Sequence, residues 1–99
     1  MSKELRGILG LAFRAGQLVP GAEMSLKLIR EKGAALALLE PEASENTQKK
    51  VRDACNYYGI KVILLSAGTL GHACGRPGMA AAAVKPGNFS RMILDETKE

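Results

Sequence analysis

The stretch "AALALLEPEASENTQKKVRDACNYYGIKVILLS", Ala34 to Ser66, decides the fold class. Its first six residues form a continuous apolar run, too short for a helix of its own and suited to a strand buried on both faces. A helix with both ends marked comes next. Ser44 is placed to cap its start, Glu45 falls in its first turn, and Gly59 supplies the stop. Between these ends Val51, Ala54, Cys55 and Tyr58 recur at helical spacing and make one apolar stripe. "KVILLS" (61–66) then reads as another strand. A helix held between apolar strands points to an α/β architecture.

On the N-terminal side, Leu5, Ile8, Leu9 and Ala12 recur at i, i+3, i+4, i+7, which predicts an amphipathic helix ending near "RAG", with Gly16 as its stop. "QLV" (17–19) is a short strand candidate. After Pro20-Gly21 a second helix points Ala22, Leu26 and Ile29 inward and ends before Lys32-Gly33. On the C-terminal side, "GTLGHACG" (68–75) reads as a loop and short helix, capped by Thr69 and closed by Gly75. "MAAAAVK" (79–85) fits a last inner strand, although its alanines suit a helix equally. "PGNFSRMILDE" opens a final helix with Phe89, Met92 and Ile93 facing the sheet. Helices alternating with short apolar strands predict a three-layer α/β/α sandwich. With no linker, repeat or low-complexity tract, residues 1–99 read as a single domain.

Fourteen Lys and Arg against ten Asp and Glu leave a formal charge of +4, a mild form of the bias found in proteins that meet polyanions. Cys55 and Cys74 make no CxxC pair, and the single histidine, His72, cannot complete a zinc site with them, so a reducing, cytoplasmic setting fits and no metal is expected. Charges interrupt "MSKELRGILG", which excludes a signal peptide reading, and no run is long enough to span a membrane.

Catalysis needs convergent polar groups, and here there are scattered carboxylates, one histidine and no Ser or Cys in a nucleophile setting. Gly68, Gly71 and Gly75 do not have the spacing of a dinucleotide or phosphate loop, so no cofactor is expected. "GTLG" matches the GxxG of a KH domain, but that loop joins two helices and this one follows a strand. The four aromatics all fall on predicted helices, so no stacking platform is evident. An RNA partner would then be read by shape, through helix starts, backbone N–H groups and basic side chains. "PGAEMSLK" (20–27) and "SAGTLG" (66–71) each offer a helix start at the end of a strand. Taken singly, each also has an ordinary reading as a turn with a solvated lysine or as a plain loop.

Taken together, "LGLAFRAGQLVPG", "LKLIREKGAALALL", "ASENTQKKVRDACNYYGIKVI" and "LGHACGRPGMAAAAV" resemble the kink-turn-binding ribosomal-protein family, in particular its bacterial YlxQ-type group. Relatives in that family include the large-subunit ribosomal proteins "seven-Ae" and "thirty-e". The likeness runs from about Leu5 to Leu94. It implies an α/β/α sandwich around a four-stranded mixed sheet, non-catalytic binding of structured RNA by loops at one end, and ribosomal RNA or another folded RNA as partner. Kink-turn binders of this family open their second helix with Gly, any residue, Asn, Glu, two of any kind, then Lys. Gly21 and Lys27 match that pattern, whereas Glu23 stands in place of the Asn, Met24 in place of the Glu, and Pro20 where a basic residue is often found. An ionised Glu only accepts hydrogen bonds, and Met supplies none, so the departures fall on the base-reading positions. The resemblance further implies a second RNA wall at Ala67, Gly68, Thr69, Leu70 and Gly71, with Leu70 wedged against an unstacked base. Arg14 and Arg30 are further candidates for phosphate contacts. The competing expectation is a ribosome-associated or assembly module that uses Met24 and Leu70 to bind a protein. A monomer is expected in either case.

Overall fold

The computed structural model describes residues 3–97. The chain runs α1 (Lys3–Arg14), β1 (Leu18–Pro20), α2 (Ala22–Arg30), β2 (Leu36–Leu39), α3 (Glu45–Tyr58), β3 (Lys61–Leu64), α4 (Thr69–Cys74), β4 (Ala81–Val84) and α5 (Asn88–Thr97). The strands form one mixed sheet in the order β1-β4-β2-β3. β2 pairs in parallel with β3, while β4 runs antiparallel to both β1 and β2.

Two apolar layers sandwich this sheet. One joins Leu5, Leu9 and Ala12 of α1, Leu70 and Cys74 of α4 and Ile93 of α5 to Leu36, Leu38, Ala82 and Val84 of the strands. The other joins Leu26 and Ile29 of α2 and Val51 and Cys55 of α3 to Ala37, Leu39, Ala81 and Ala83. Consecutive strand residues thus feed opposite layers, which is why "LALL" and "AAAV" are apolar at every position. The ambiguity of the alanine run is resolved as a strand, since Ala81–Val84 lies between β1 and β2 with both faces covered and all four residues buried. Small side chains there let α2 pack close to the sheet.

Helix α3 has the two ends that its sequence announces. Ser44 Oγ accepts from the Thr47 N–H at 3.1 Å, and Gly59 takes a left-handed conformation (φ 69°) that a side chain would oppose. Ser44→Ala is therefore expected to cost about 1 kcal/mol in urea unfolding. An unchanged midpoint would show that this cap adds nothing beyond what water supplies.

Two local expectations are corrected. Met92 does not face the sheet but is 41% exposed, because α5 turns Phe89, Ser90, Ile93 and Leu94 toward the core and leaves position 92 at the side. Thr69 does not cap α4. Gly68 holds that position, and the Thr69 hydroxyl donates backward to the Ser66 carbonyl at 2.7 Å.

The strand directions fix where a site can form. β1, β2 and β3 all finish at the end of the sheet where β4 begins, bringing Gly21, Glu40, Ser66 and Ala80 to one edge. The Gly21 N–H donates to Ala81 O, the Glu40 N–H to Ala80 O and the Leu65 N–H to Leu39 O, so the strand ends are tied across that edge.

Candidate nucleic-acid interface

The first wall of the site is the start of α2. Gly21 occupies the N-cap with φ 98° and ψ 144°, a backbone state costly for any residue with a Cβ, and no side chain caps the helix. Ser25, fully buried, locks the turn by donating its hydroxyl to Gly21 O at 2.6 Å. The start of α2 opens onto a cleft of 260 Å³ lined mostly by small residues, among them Gly21, Ala22, Ser44, Gly78 and Ala80, with Glu42 and Met79 as the larger side chains. Small side chains leave backbone groups within reach of a ligand, and an uncapped helix start offers N–H donors with positive polarity. Glu23, Met24 (54% exposed) and Lys27 stand in solvent on the first two turns of this helix.

The second wall is the β3–α4 junction. Ala67 and Gly68 are exposed, and with Arg6, Ser66, Thr69 and His72 they line a cleft of 360 Å³. This junction is held from beneath by a carboxylate. Glu40 at the end of β2 is 0% exposed, and its Oε1 accepts from the Gly68 N–H at 3.0 Å while its Oε2 accepts from the Leu70 N–H at 2.6 Å. Glu42 adds a longer contact of 3.3 Å to the same Gly68 N–H. Burial raises the Glu40 pKa above the ordinary carboxylate value. A hydrogen bond that protonated Glu40 can donate to the Glu42 carboxylate, and the Glu42 charge, push the same way, while the two backbone N–H groups pull against them.

This arrangement corrects the expected role of Leu70. Its side chain is 0% exposed and packed in the core with Leu5, Leu9, Ile63 and Leu65, so it cannot wedge against a base, nor can it offer a protein partner an apolar contact. The N–H groups of Gly68 and Leu70 are also engaged by Glu40 rather than open to a ligand. Of the second wall, Ala67 and Gly68 remain as surface and Gly71 is half-buried, while Thr69 is buried.

The two walls share an end of the sheet but not a strand. β1 and β3 are its opposite edges, three strand spacings or about 14 Å apart. What bridges them is the α4–β4 loop, which the sequence reading passed over. Gly78 and Met79 line the cleft beside Gly21 and also a 330 Å³ cleft shared with Glu42, Gly68, Gly71 and His72. The adjacent "RPG" was a turn signal in the sequence, but its place beside Gly21 depends on β4 pairing with β1.

Two of the expected basic residues lie elsewhere. Arg14 ends α1 just before β1, at the opposite end of that strand from Gly21. Arg30 ends α2, roughly 12 Å along the helix from its start, and borders Lys50, Asp53 and Tyr57. Arg6 is the exposed cation that the fold brings to the second wall instead. Its signal was weak, since an arginine in the first turns of an amphipathic helix is ordinary surface until the helix direction is known.

Among the described residues no group of His, Cys, Asp and Glu is arranged to hold a metal. Cys55 and Cys74 are free and buried, and burial raises both thiol pKa values. Among the described residues no helix is long and apolar enough to cross a membrane.

A mixed four-stranded sheet between helical layers, with its loop-built clefts gathered at one strand end, defines an α/β sandwich of the ribosomal-protein type. Residues 3–93 match the Ribosomal protein L7Ae/L30e/S12e/Gadd45 family, and the chain belongs to it. It is 39% identical over 88 residues to the RNA-binding protein YlxQ of Bacillus subtilis (strain 168), covering 88% of each chain. It is 38% identical over 71 residues to the RNA-binding protein YlxQ of Enterococcus faecium, covering 71% of this chain and 69% of that one. Among solved structures it is similar to a protein of unknown function from Bacillus halodurans C, with TM-score 0.88, 34% identity and complete coverage of both chains. The fold is also that of the Giardia lamblia 15.5kD RNA binding protein, with TM-score 0.75 and 17% identity over 99% of this chain and 91% of the other.

Proposed function

We propose that this chain binds structured RNA without catalysis, at the sheet edge where β1 passes into α2. The observation that carries the reading is the uncapped start of α2, with Gly21 in a glycine-only turn, opening onto a cleft walled mostly by small residues. The names of its relatives in Bacillus and Enterococcus support the same function. On this reading Gly21 and Ala22 let the RNA backbone or a base edge come close, and Lys27 meets a phosphate or a guanine edge. Gly78 and Met79 form the floor between this wall and Ala67–Gly68. The protein acts as one domain over residues 1–99, as a cytoplasmic monomer, on ribosomal RNA or another folded RNA.

Glu23 and Met24 shape which RNA is preferred. Both are exposed beside the cleft, the first repelling nearby phosphates and the second offering no hydrogen bond. A kink-turn read through these positions would forfeit on the order of 1–3 kcal/mol per lost base contact, which moves preference toward other bent or folded RNAs.

The test is a fluorescence titration of a labelled kink-turn RNA beside a control with its G·A pairs replaced, at low and near-physiological salt. Lys27→Ala is expected to weaken binding of the preferred RNA by about 1–3 kcal/mol. If Lys27 meets a phosphate, the variant also lowers the salt slope by roughly one. Equal affinity of the variant and the parent chain would falsify the assignment of Lys27. Equal weak binding to both RNAs, or none, would turn the search to other folded RNAs or to a protein partner, whose apolar interface would be far less sensitive to salt.

A further inference from the structure

The furrow between α2 and α3 and the proposed RNA cleft are both bordered by residues of α3. Thr47, Lys50, Ala54 and Tyr57 follow one another at spacings of three and four, so they line one face of α3. Thr47 borders the cleft beside Gly21, and the other three border an open groove of 500 Å³ that Arg30 of α2 also lines. Cations therefore stand on both walls of the groove, against one carboxylate, Asp53.

Tyr57 is the feature that ordinary surface does not explain. It is 82% exposed, whereas Phe13, Tyr58 and Phe89 are each half-buried. Its ring is steadied edge-on by Tyr58, with centroids 4.9 Å apart and planes at 81°. A steadied aromatic face between an arginine and a lysine suits an unstacked base and its flanking phosphates. An amphipathic peptide helix fits it less well, because three of its six lining residues are charged and Ala54 is the one aliphatic side chain among them.

We infer that the α2–α3 furrow is a second RNA contact, taking a single-stranded segment that leaves the folded RNA at the sheet edge. Its phosphates lie against Arg30 and Lys50, and one base stacks on Tyr57. The inference rests on the RNA-binding reading above and extends it to a surface on the outer face of the helices.

Two tyrosines and no tryptophan in the sequence make the test direct. The full chain carrying ¹³C-tyrosine is titrated with a folded kink-turn RNA, alone and with a tail of about ten uridines at either end, within the range of strand lengths such sites cover. The tail is expected to tighten binding roughly tenfold by stacking and phosphate contact, and to shift the Tyr57 ring resonances, while the untailed RNA leaves them in place. Tyr57→Ala, a change on the exposed surface, is expected to abolish the gain from the tail and to bind untailed RNA like the parent chain. Untailed RNA that binds, with no gain from either tail and unmoved Tyr57 resonances, overturns the furrow and leaves the sheet-edge site standing. Free oligouridine that shifts Tyr57 while the kink-turn fails to bind supports the furrow and overturns only a kink-turn at the sheet edge. Oligouridine and tailed RNA that both leave Tyr57 unmoved overturn the furrow, whatever folded RNA the sheet edge prefers.

Discussion

Replacing Glu40 by alanine is expected to destabilise the protein by about 3 kcal/mol, because two backbone N–H groups would lose their acceptor at a fully buried position. For a domain of this size that is a fall in Tm of roughly 15 °C. The loss should concentrate at the β3–α4 junction, so amide exchange at Gly68 and Leu70 would accelerate more than exchange in β2 or β4. Glu40→Gln tests the charge separately. It keeps the shape but has one carbonyl oxygen for two donors, and its NH₂ would face an N–H, so an intermediate loss is expected. A Glu40→Ala protein as stable as the parent would mean that the junction is held by packing alone.

The same carboxylate gives a pH dependence whose sign follows from its environment. Burial raises the native pKa of Glu40 above its value in the unfolded chain. Between those two values the native state holds a proton that the unfolded state has released. Stability therefore falls as pH rises through that window and levels off above the native value. Urea midpoints followed upward from the ordinary carboxylate range should show this decline, and Glu40→Gln should flatten it. A rise with pH assigned to Glu40 would mean that the two N–H groups outweigh burial.

The difference between what could and could not be seen in the sequence is the range over which each signal acts. Ser44 and Gly59 act on groups a few residues away, so both ends of α3 were legible. The double burial of Leu36–Leu39 was legible from an apolar run alone, whereas Ala81–Val84 needed its neighbours to become a strand. That Arg14 and Arg30 lie away from the start of α2 was hidden for a related reason. A cation near a site in sequence sits at the far end of its own helix, and helix direction is set by strand pairing. Glu40 is the clearest case. Twenty-eight positions separate it from Gly68, and the sequence shows only an acidic residue before a proline. Nothing local marks it as a buried cap for a distant helix.

Leu70→Ala separates the two meanings that "TLG" can carry, and its expected effect is of the same size as that of Glu40. As an RNA wedge, Leu70 would be dispensable for folding and necessary for binding. The structure buries it completely among Leu5, Leu9, Ile63 and Leu65, so truncation removes buried methyl groups and leaves a cavity between α1, α4 and the sheet. The expected cost is about 3 kcal/mol, within the range for buried leucines. RNA affinity per folded molecule should stay close to that of the parent chain, because the side chain presents no surface to a ligand. Urea unfolding and an RNA titration on the same preparation decide the matter. A variant that unfolds at the parent midpoint yet loses RNA would restore the wedge, and would require α4 to lift from the sheet when RNA binds. The expected result instead leaves recognition at this edge to exposed backbone at Ala67 and Gly68, to the Gly78–Met79 bridge, and to the start of α2.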